Sequence, residues 1–265
     1  MALVFFFYIY IFLLGLAAGS FLNCIIYRLK TKESFLLKRS YCPHCKHKLS
    51  WPDLIPVLSF FILRGKCRYC GKKISWQYPL VELATGILFV LILNYEVGIM
   101  NYALLSFGSI LNSLFLILTS CFLIIIFVYD LKHYIIPDKI VYPAIFISFL
   151  YNLLYSKSHI LNSIYSAVGA SLFFLIIFLL SRGKWLGFGD VKLAFLIGLF
   201  LGFPNILVAL FSAFFLGAII GIGLILTGKK NLKSEVPFGP FLVTGTFLAL
   251  FWGEELINWY LNLPR

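Results

Sequence analysis

ALLSFGSILNSLFLILTSCFLIIIFVYD, residues 103–130, decides the fold class. No charged residue interrupts it until its last position, Asp130. As a helix rising about 1.5 Å per residue it extends about 42 Å, more than the roughly 30 Å of a bilayer's hydrocarbon core. The run therefore reads as a transmembrane helix that ends on an acid. Ionisable groups at such depth are costly, so they point to function by default. A second acid has a similar setting: Asp190, in Gly187-Phe188-Gly189-Asp190, at the start of another apolar run.

Outward from this stretch, apolar runs of helical length recur at roughly 3–26, 79–95, 103–130, 139–156, 160–181, 190–203, 204–227 and 237–261. The expected class is an all-α polytopic membrane protein with about eight transmembrane helices; seven is the alternative count. The second run is marginal in length and the sixth is short. Gly202-Phe203-Pro204-Asn205 is turn chemistry, so the sixth and seventh runs read as a tight hairpin and not as one long helix. The composition agrees: 62% of the 265 residues are hydrophobic and mean hydropathy is +0.98, which excludes a soluble domain. The first run is too long for the apolar core of a cleavable signal peptide and lacks a basic leader of its own. It reads as a first helix that doubles as the insertion signal.

The chain carries 22 Lys and Arg against 10 acids, a net charge of +12. A basic patch for nucleic acid is one explanation, but the distribution points elsewhere. The loops 27–78, 131–138, 182–189 and 228–236, with Lys139 and Lys192 at the adjoining helix starts, hold 20 of the 22 bases. The other side holds only Lys157 and Arg265. This is the positive-inside pattern, with the N-terminus outside, the long loop in the cytoplasm, and no need for nucleic acid. Asp130 then ends the third span and Asp190 begins the sixth, both at the cytoplasmic face.

Residues 27–78 differ in kind, being polar, basic and punctuated by Pro and Gly. Cys42-Pro43-His44-Cys45 and Cys67-Arg68-Tyr69-Cys70 have the spacing of a zinc ribbon, in which each tight turn supplies two thiolates. Cys42, Cys45, Cys67 and Cys70 leave no open coordination position, so zinc there is expected to be structural, clipping a loop too small for its own core. A reducing compartment disfavours disulfides. His44 and His47 are expected at the surface; Cys24 and Cys121, inside spans, as inert small apolar residues. The organisation expected is a first helix over 1–26, a small cytoplasmic zinc-ribbon-like domain over 27–78, and a transmembrane domain over 79–265.

Further motifs complete the set: Gly19-Ser20-Phe21-Leu22-Asn23-Cys24 continuing to Leu29, Ile74-Ser75-Trp76-Gln77-Tyr78-Pro79-Leu80-Val81-Glu82, Asp130 through Pro137-Asp138, Gly187-Phe188-Gly189-Asp190-Val191-Lys192, and Pro237-Phe238-Gly239-Pro240-Phe241. In this order, with the paired Cys-x-x-Cys motifs, they resemble the bifunctional type IV prepilin leader peptidases over essentially the whole chain. The Gly-x-Gly-Asp motif is the one that family shares with other intramembrane aspartyl proteases. Cys24 stands where an apolar β-branched residue is more usual.

The resemblance implies a multi-pass protein of the bacterial inner membrane. It implies catalysis by Asp130 and Asp190, with Gly187, Gly189 and Asp138 in support. The implied substrates are prepilins or pseudopilins, cut after a short basic leader and before a hydrophobic helix. It also implies N-methylation of the new N-terminus with S-adenosylmethionine. No Gly-rich nucleotide fingerprint appears in the sequence, so pattern alone does not indicate the methyl donor. Basic loops would not attract a basic leader; anionic lipid suits both.

Two adjacent carboxyls suit amide hydrolysis, because like charges at short range do not both ionise easily and one retains a proton. The ionised member activates water while the protonated one polarises the carbonyl. Gly187 and Gly189 are expected to permit positive φ or crowding before Asp190, which reads as a helix N-cap as well as an acid. Asp138, after Pro137, also reads as an N-cap. Pro237-Phe238-Gly239-Pro240 breaks the last span and is either a wall of the substrate groove or a packing feature. Glu82, an acid at a helix start, either recognises an amine or methyl donor or pairs with a nearby base. A non-enzymatic scaffold or transporter using the two acids for ions or packing is the alternative function; a transporter would show repeated halves, and none is evident.

Overall fold

The structure is a computed structural model that describes residues 2–31, 33–34, 39–99, 107–155, 160–228 and 236–262. Lys157, Arg265 and most of the 228–236 loop lie outside the described residues. Among the described residues the regular structure is helical, with only two isolated bridges, Tyr41–Lys48 and Lys66–Lys73. The long helices are α1 (Ala2–Thr31), α3 (Gln77–Ile99), α4 (Phe107–His133), α5 (Asp138–Tyr155), α6 (Ile160–Ser181), α7 (Phe188–Leu201), α8 (Asn205–Leu226) and α9 (Gly239–Leu261). A short α2 (Leu58–Ile62) follows a 3-10 turn at Trp51–Leu54. Segments of α1, α3, α4, α6, α8 and α9 are long and apolar enough to cross a membrane. The 14-residue α7 and α5, which opens on Asp138 and Lys139, are not among them. Large exposed apolar side chains such as Leu180 and Phe211 are what a lipid-facing surface requires.

The chain divides into two compact units, Met1–Ile125 and Ile126–Arg265. In the first, α1 packs on α3 through small residues. A Cβ at Gly15 would stand 2.7 Å from Gly86 Cα, and one at Gly19 2.7 Å from Glu82 Cα. Lipid supplies no hydrophobic drive between helices, so close backbone approach and polar bonds must hold them. Asn23 provides such bonds, donating to Tyr78 O (3.1 Å) and accepting from Gln77 Nε2 (3.0 Å). Helix α1 continues to Thr31, past the end expected at residue 26. It carries Arg28 with it, because loop carbonyls satisfy the buried guanidinium: Ser34 O at 3.1 Å and Arg39 O at 3.3 Å.

In the second unit α7 is the central element. Leu193, Ala194, Leu196 and Ile197 have no exposed surface. A helix apolar on every side belongs inside a bundle. Gly198 lets α7 lie against the backbone of α6 at Ala167, and Gly245 does the same for α9 against Ala209 of α8. Asn152 of α5 donates to Leu199 O (3.0 Å) and accepts from Ser163 Oγ of α6 (3.2 Å), tying three helices together. The hairpin expected at Gly202-Phe203-Pro204-Asn205 is present. Gly202 takes φ +67°, and Asn162 grips Phe203 through both its N–H (3.3 Å) and its carbonyl (2.9 Å).

Candidate active site and metal centre

Asp130 lies in the last turn of α4 and Asp190 in the first turn of α7, 60 residues on in sequence. Both are buried, 4% and 7% exposed, yet both line one open cavity of about 570 Å³. The turn between α4 and α5, the loop from Gly183 to Gly187, and the Val236-Pro237-Phe238 entry to α9 complete the wall. All of these belong to the second unit.

Each acid is held by a glycine. Gly239 N–H donates to Asp130 Oδ2 at 3.1 Å across 109 residues. A Cβ on Gly239 would stand 2.6 Å from that same oxygen, so only glycine can bring its N–H there. Gly187 N–H donates to Asp190 Oδ2 at 3.1 Å, and Asp190 N–H returns a bond to Gly187 O, also 3.1 Å. Asp190 is therefore the third residue of α7 with its carboxylate folded back, and Gly187 is the cap; the expectation of Asp190 as N-cap is corrected. A carboxylate there also sits favourably at the positive end of the helix dipole.

The two glycines before Asp190 divide the expectation made for them. Gly187 has φ −80°, so it does not use the left-handed region. Gly189 is crowded: its Cβ would meet Ile136 Cβ at 3.0 Å. Positive φ occurs just before, at Arg182 (51°) and Gly183 (74°).

Asp138 is the first residue of α5, not its cap. Its carboxylate receives Lys192 Nζ of α7 at 2.6 Å, and the same ammonium lies 5.0 Å from the Tyr142 ring and 5.1 Å from the Phe188 ring. Glu82, in the first unit, accepts from Val57 N–H at 2.7 Å. Val57 has φ +61°, a conformation costly for a β-branched residue, so the buried acid stabilises a strained turn. It pairs with backbone, which the sequence-based alternatives did not include.

The second cluster lies in the first unit. The Sγ atoms of Cys42, Cys45, Cys67 and Cys70 fall within 4.8 Å of one another, and Cys42 and Cys70 are 3.9 Å apart. The two knuckles repeat one design. Lys46 N–H bonds Cys42 O and Gly71 N–H bonds Cys67 O, each at 2.9 Å, with φ +60° at Lys46 and +69° at Gly71. The Lys72 N–H favours the Cys70 thiolate, yet desolvation and the Cys67, Cys45 and Cys42 thiols carry its pKa up to about 11. Four sulfurs so placed ionise together only around a cation, and the set fits a tetrahedral metal. The cluster is clamped to the preceding turn. Arg68 Nε donates to Asp53 Oδ1 (2.8 Å) and Tyr69 Oη to Asp53 Oδ2 (3.1 Å). Burial pushes the Asp53 carboxyl up, but hydrogen bonds from Ser50, Arg68 and Tyr69 outweigh it and hold the group below the usual carboxylate range. His44 and His47 are exposed, and His47 stacks on Tyr69 at 3.7 Å.

Three contributors went unnamed at the sequence level: the Gly239 N–H, the Ile136 side chain and the Asp138–Lys192 pair. Gly239 was legible only as part of a helix-breaking Pro-Phe-Gly-Pro segment. No local pattern assigns its hydrogen bond.

Comparison with known proteins gives the family of the chain. A model of the bacterial peptidase A24 N-terminal domain matches residues 13–95, and one of the type IV leader peptidase family matches residues 116–222. A prepilin leader peptidase/N-methyltransferase of Legionella pneumophila is 32% identical, covering 97% of this chain and 95% of its own. One of Bacillus subtilis is 32% identical over 96% and 97%, and one of Aeromonas hydrophila 30% over 95% and 93%. No solved structure matches the chain. With full-length relatives at this identity and both family models matched in order, the chain belongs to the type IV leader peptidase family.

Proposed function

We propose that this chain is a membrane-embedded aspartyl peptidase that removes the leader from prepilins or pseudopilins and N-methylates the residue exposed. The observation that carries the peptidase is the single cavity lined by both Asp130 and Asp190, each held through Oδ2 by a glycine N–H. The two carboxyls share one proton between them. The ionised member takes a proton from water, which attacks the scissile carbonyl carbon. The protonated member donates to the carbonyl oxygen, and the departing amine then receives a proton from the dyad. Gly239 and Gly187 fix the acids by backbone bonds that need no side-chain ordering.

The charge distribution supports an N-terminus outside and the cysteine loop in the cytoplasm, with cleavage at the cytoplasmic face. Cys42, Cys45, Cys67 and Cys70 would hold a zinc ion whose contribution is structural: with four thiolate ligands it binds no water and serves to fold the loop. S-adenosylmethionine is the donor that the methylation calls for, and no residue of the chain is assigned to it.

The test mixes purified protein in detergent with a prepilin and follows the leader by mass spectrometry. Leader loss that vanishes in folded Asp130→Asn and Asp190→Asn variants is expected, with one added methyl only when S-adenosylmethionine is present. Cleavage that survives both substitutions overturns the dyad.

A further inference from the structure

The backbone beside Asp190 and the backbone donor to Asp130 share one side-chain neighbour. Ile136, 7% exposed, lies in the turn between α4 and α5, beside Gly189, which precedes Asp190, and Gly239, which donates to Asp130. A Cβ at Gly189, the residue before Asp190, would meet Ile136 Cβ at 3.0 Å. A Cβ at Gly239, which donates to Asp130, would meet Ile136 Cδ1 at 3.4 Å. The two glycines thus present bare backbone to one isoleucine: Gly189 faces its Cβ, Cγ1 and Cδ1, and Gly239 faces its Cδ1.

The turn that carries this wedge is fixed at both ends. Tyr134 takes φ +57°, and its N–H bonds the carbonyl of Asp130 itself at 2.8 Å. At the other end Asp138 is bound to Lys192, two residues after Asp190. Each end of the turn is therefore tied to one of the two acidic segments, and the buried residue between the ends packs against Gly189, beside Asp190, and Gly239, the donor to Asp130. Packed interiors transmit such a contact because they yield little.

We infer that Ile136 is a positioning residue for the proposed hydrolysis: its side chain sets the separation between the Asp130 and Asp190 segments. It touches no reacting atom. Removing Cδ1 loosens the contact to Gly239, while Cβ and Cγ1 still face Gly189. Misplacement of catalytic groups by about 1 Å costs on the order of 10²-fold in rate. The inference rests on the peptidase reading above.

The experiment measures kcat and KM for leader removal in the full-length protein, with Ile136→Val and Ile136→Ala beside the parent and Asp190→Asn as the inactive control. Val keeps the branched Cβ and lacks Cδ1; Ala lacks both γ carbons and Cδ1. Expected is a graded fall in kcat, several-fold for Val and about 10²-fold for Ala, with KM within about twofold of the parent and Ile136→Leu restoring more activity than Ala. If the Ala variant unfolds in detergent, the Val and Leu variants carry the comparison, because each changes shape with little loss of volume. Parent-like kcat in Val and Ala, or losses that appear only as lower thermal stability or higher KM, overturn the wedge. A parent enzyme that leaves prepilin intact overturns the peptidase reading instead, and the two failures are thereby distinct.

Discussion

The aspartate cavity and the cysteine cluster both gather reactive side chains, by opposite means. The four cysteines come as two pairs, each within a four-residue knuckle, and the ligands carry their own turn with them. The two aspartates share no local motif. Helix packing in the second unit brings them to one cavity, where Asp130 is fixed by Gly239 from 109 residues away and Asp190 by Gly187, the cap of its own helix. The cluster is a local device of a shape that suits a metal ion. The cavity is a tertiary device completed by bare backbone.

Two glycines show the contrast at single-residue scale. Gly71 in the second knuckle has φ +69° and open space around its Cβ position. It is needed for conformation. Gly239 is the first residue of a helix and is needed because Asp130 occupies the place where a side chain would go.

Substitutions can break this contrast, and the largest effect lies at the acids. Asp130→Asn or Asp190→Asn should lower leader cleavage by about 10⁴-fold or more, as for residues that act as a unit. Metal content, measured by elemental analysis, should not change. Gly239→Ala comes next. The added methyl displaces Asp130 Oδ2, and kcat should fall about 10²-fold while the protein stays helical by circular dichroism.

Metal removal should act in the other direction. A chelator, or Cys67→Ala, should take bound metal from about one ion per chain toward none and expose residues 40–75 to protease. The thermal unfolding of the long helices should shift little. Since the Cys70 thiol is raised to about 11, ligand protons must leave as metal enters. Affinity should therefore rise with pH and fall as the medium is acidified, which competition with a chromophoric chelator measures. Gly71→Ala is the smallest change. It should cost about 1 kcal/mol of local stability, read as a few-fold loss of metal affinity, with no effect on cleavage.

What the sequence disclosed follows the same division. The cysteine cluster was legible because each pair is written within four residues. Most helices were legible because an uncharged run of transmembrane length has few other uses. Asp130 and Asp190 were legible as isolated acids on apolar runs, and charge counting allowed them to be neighbours, as the cavity they share shows them to be. The Gly239 N–H and the Ile136 wedge were not, because a hydrogen bond across 109 residues leaves no local periodicity. The end of α1 was missed for a related reason. Arg28 reads as a loop charge until Ser34 and Arg39 are seen to satisfy it.

The brevity of α7 has a consequence for water. Its 14 residues span about 21 Å, some 9 Å less than a typical hydrocarbon core. A helix of this length does not cross that layer by itself, so the α6 and α9 backbones packed around it must carry the bundle past one of its ends. Asp190 stands in the first turn of this short helix and lines the open cavity of about 570 Å³, so water has room to reach its carboxylate without crossing packed side chains.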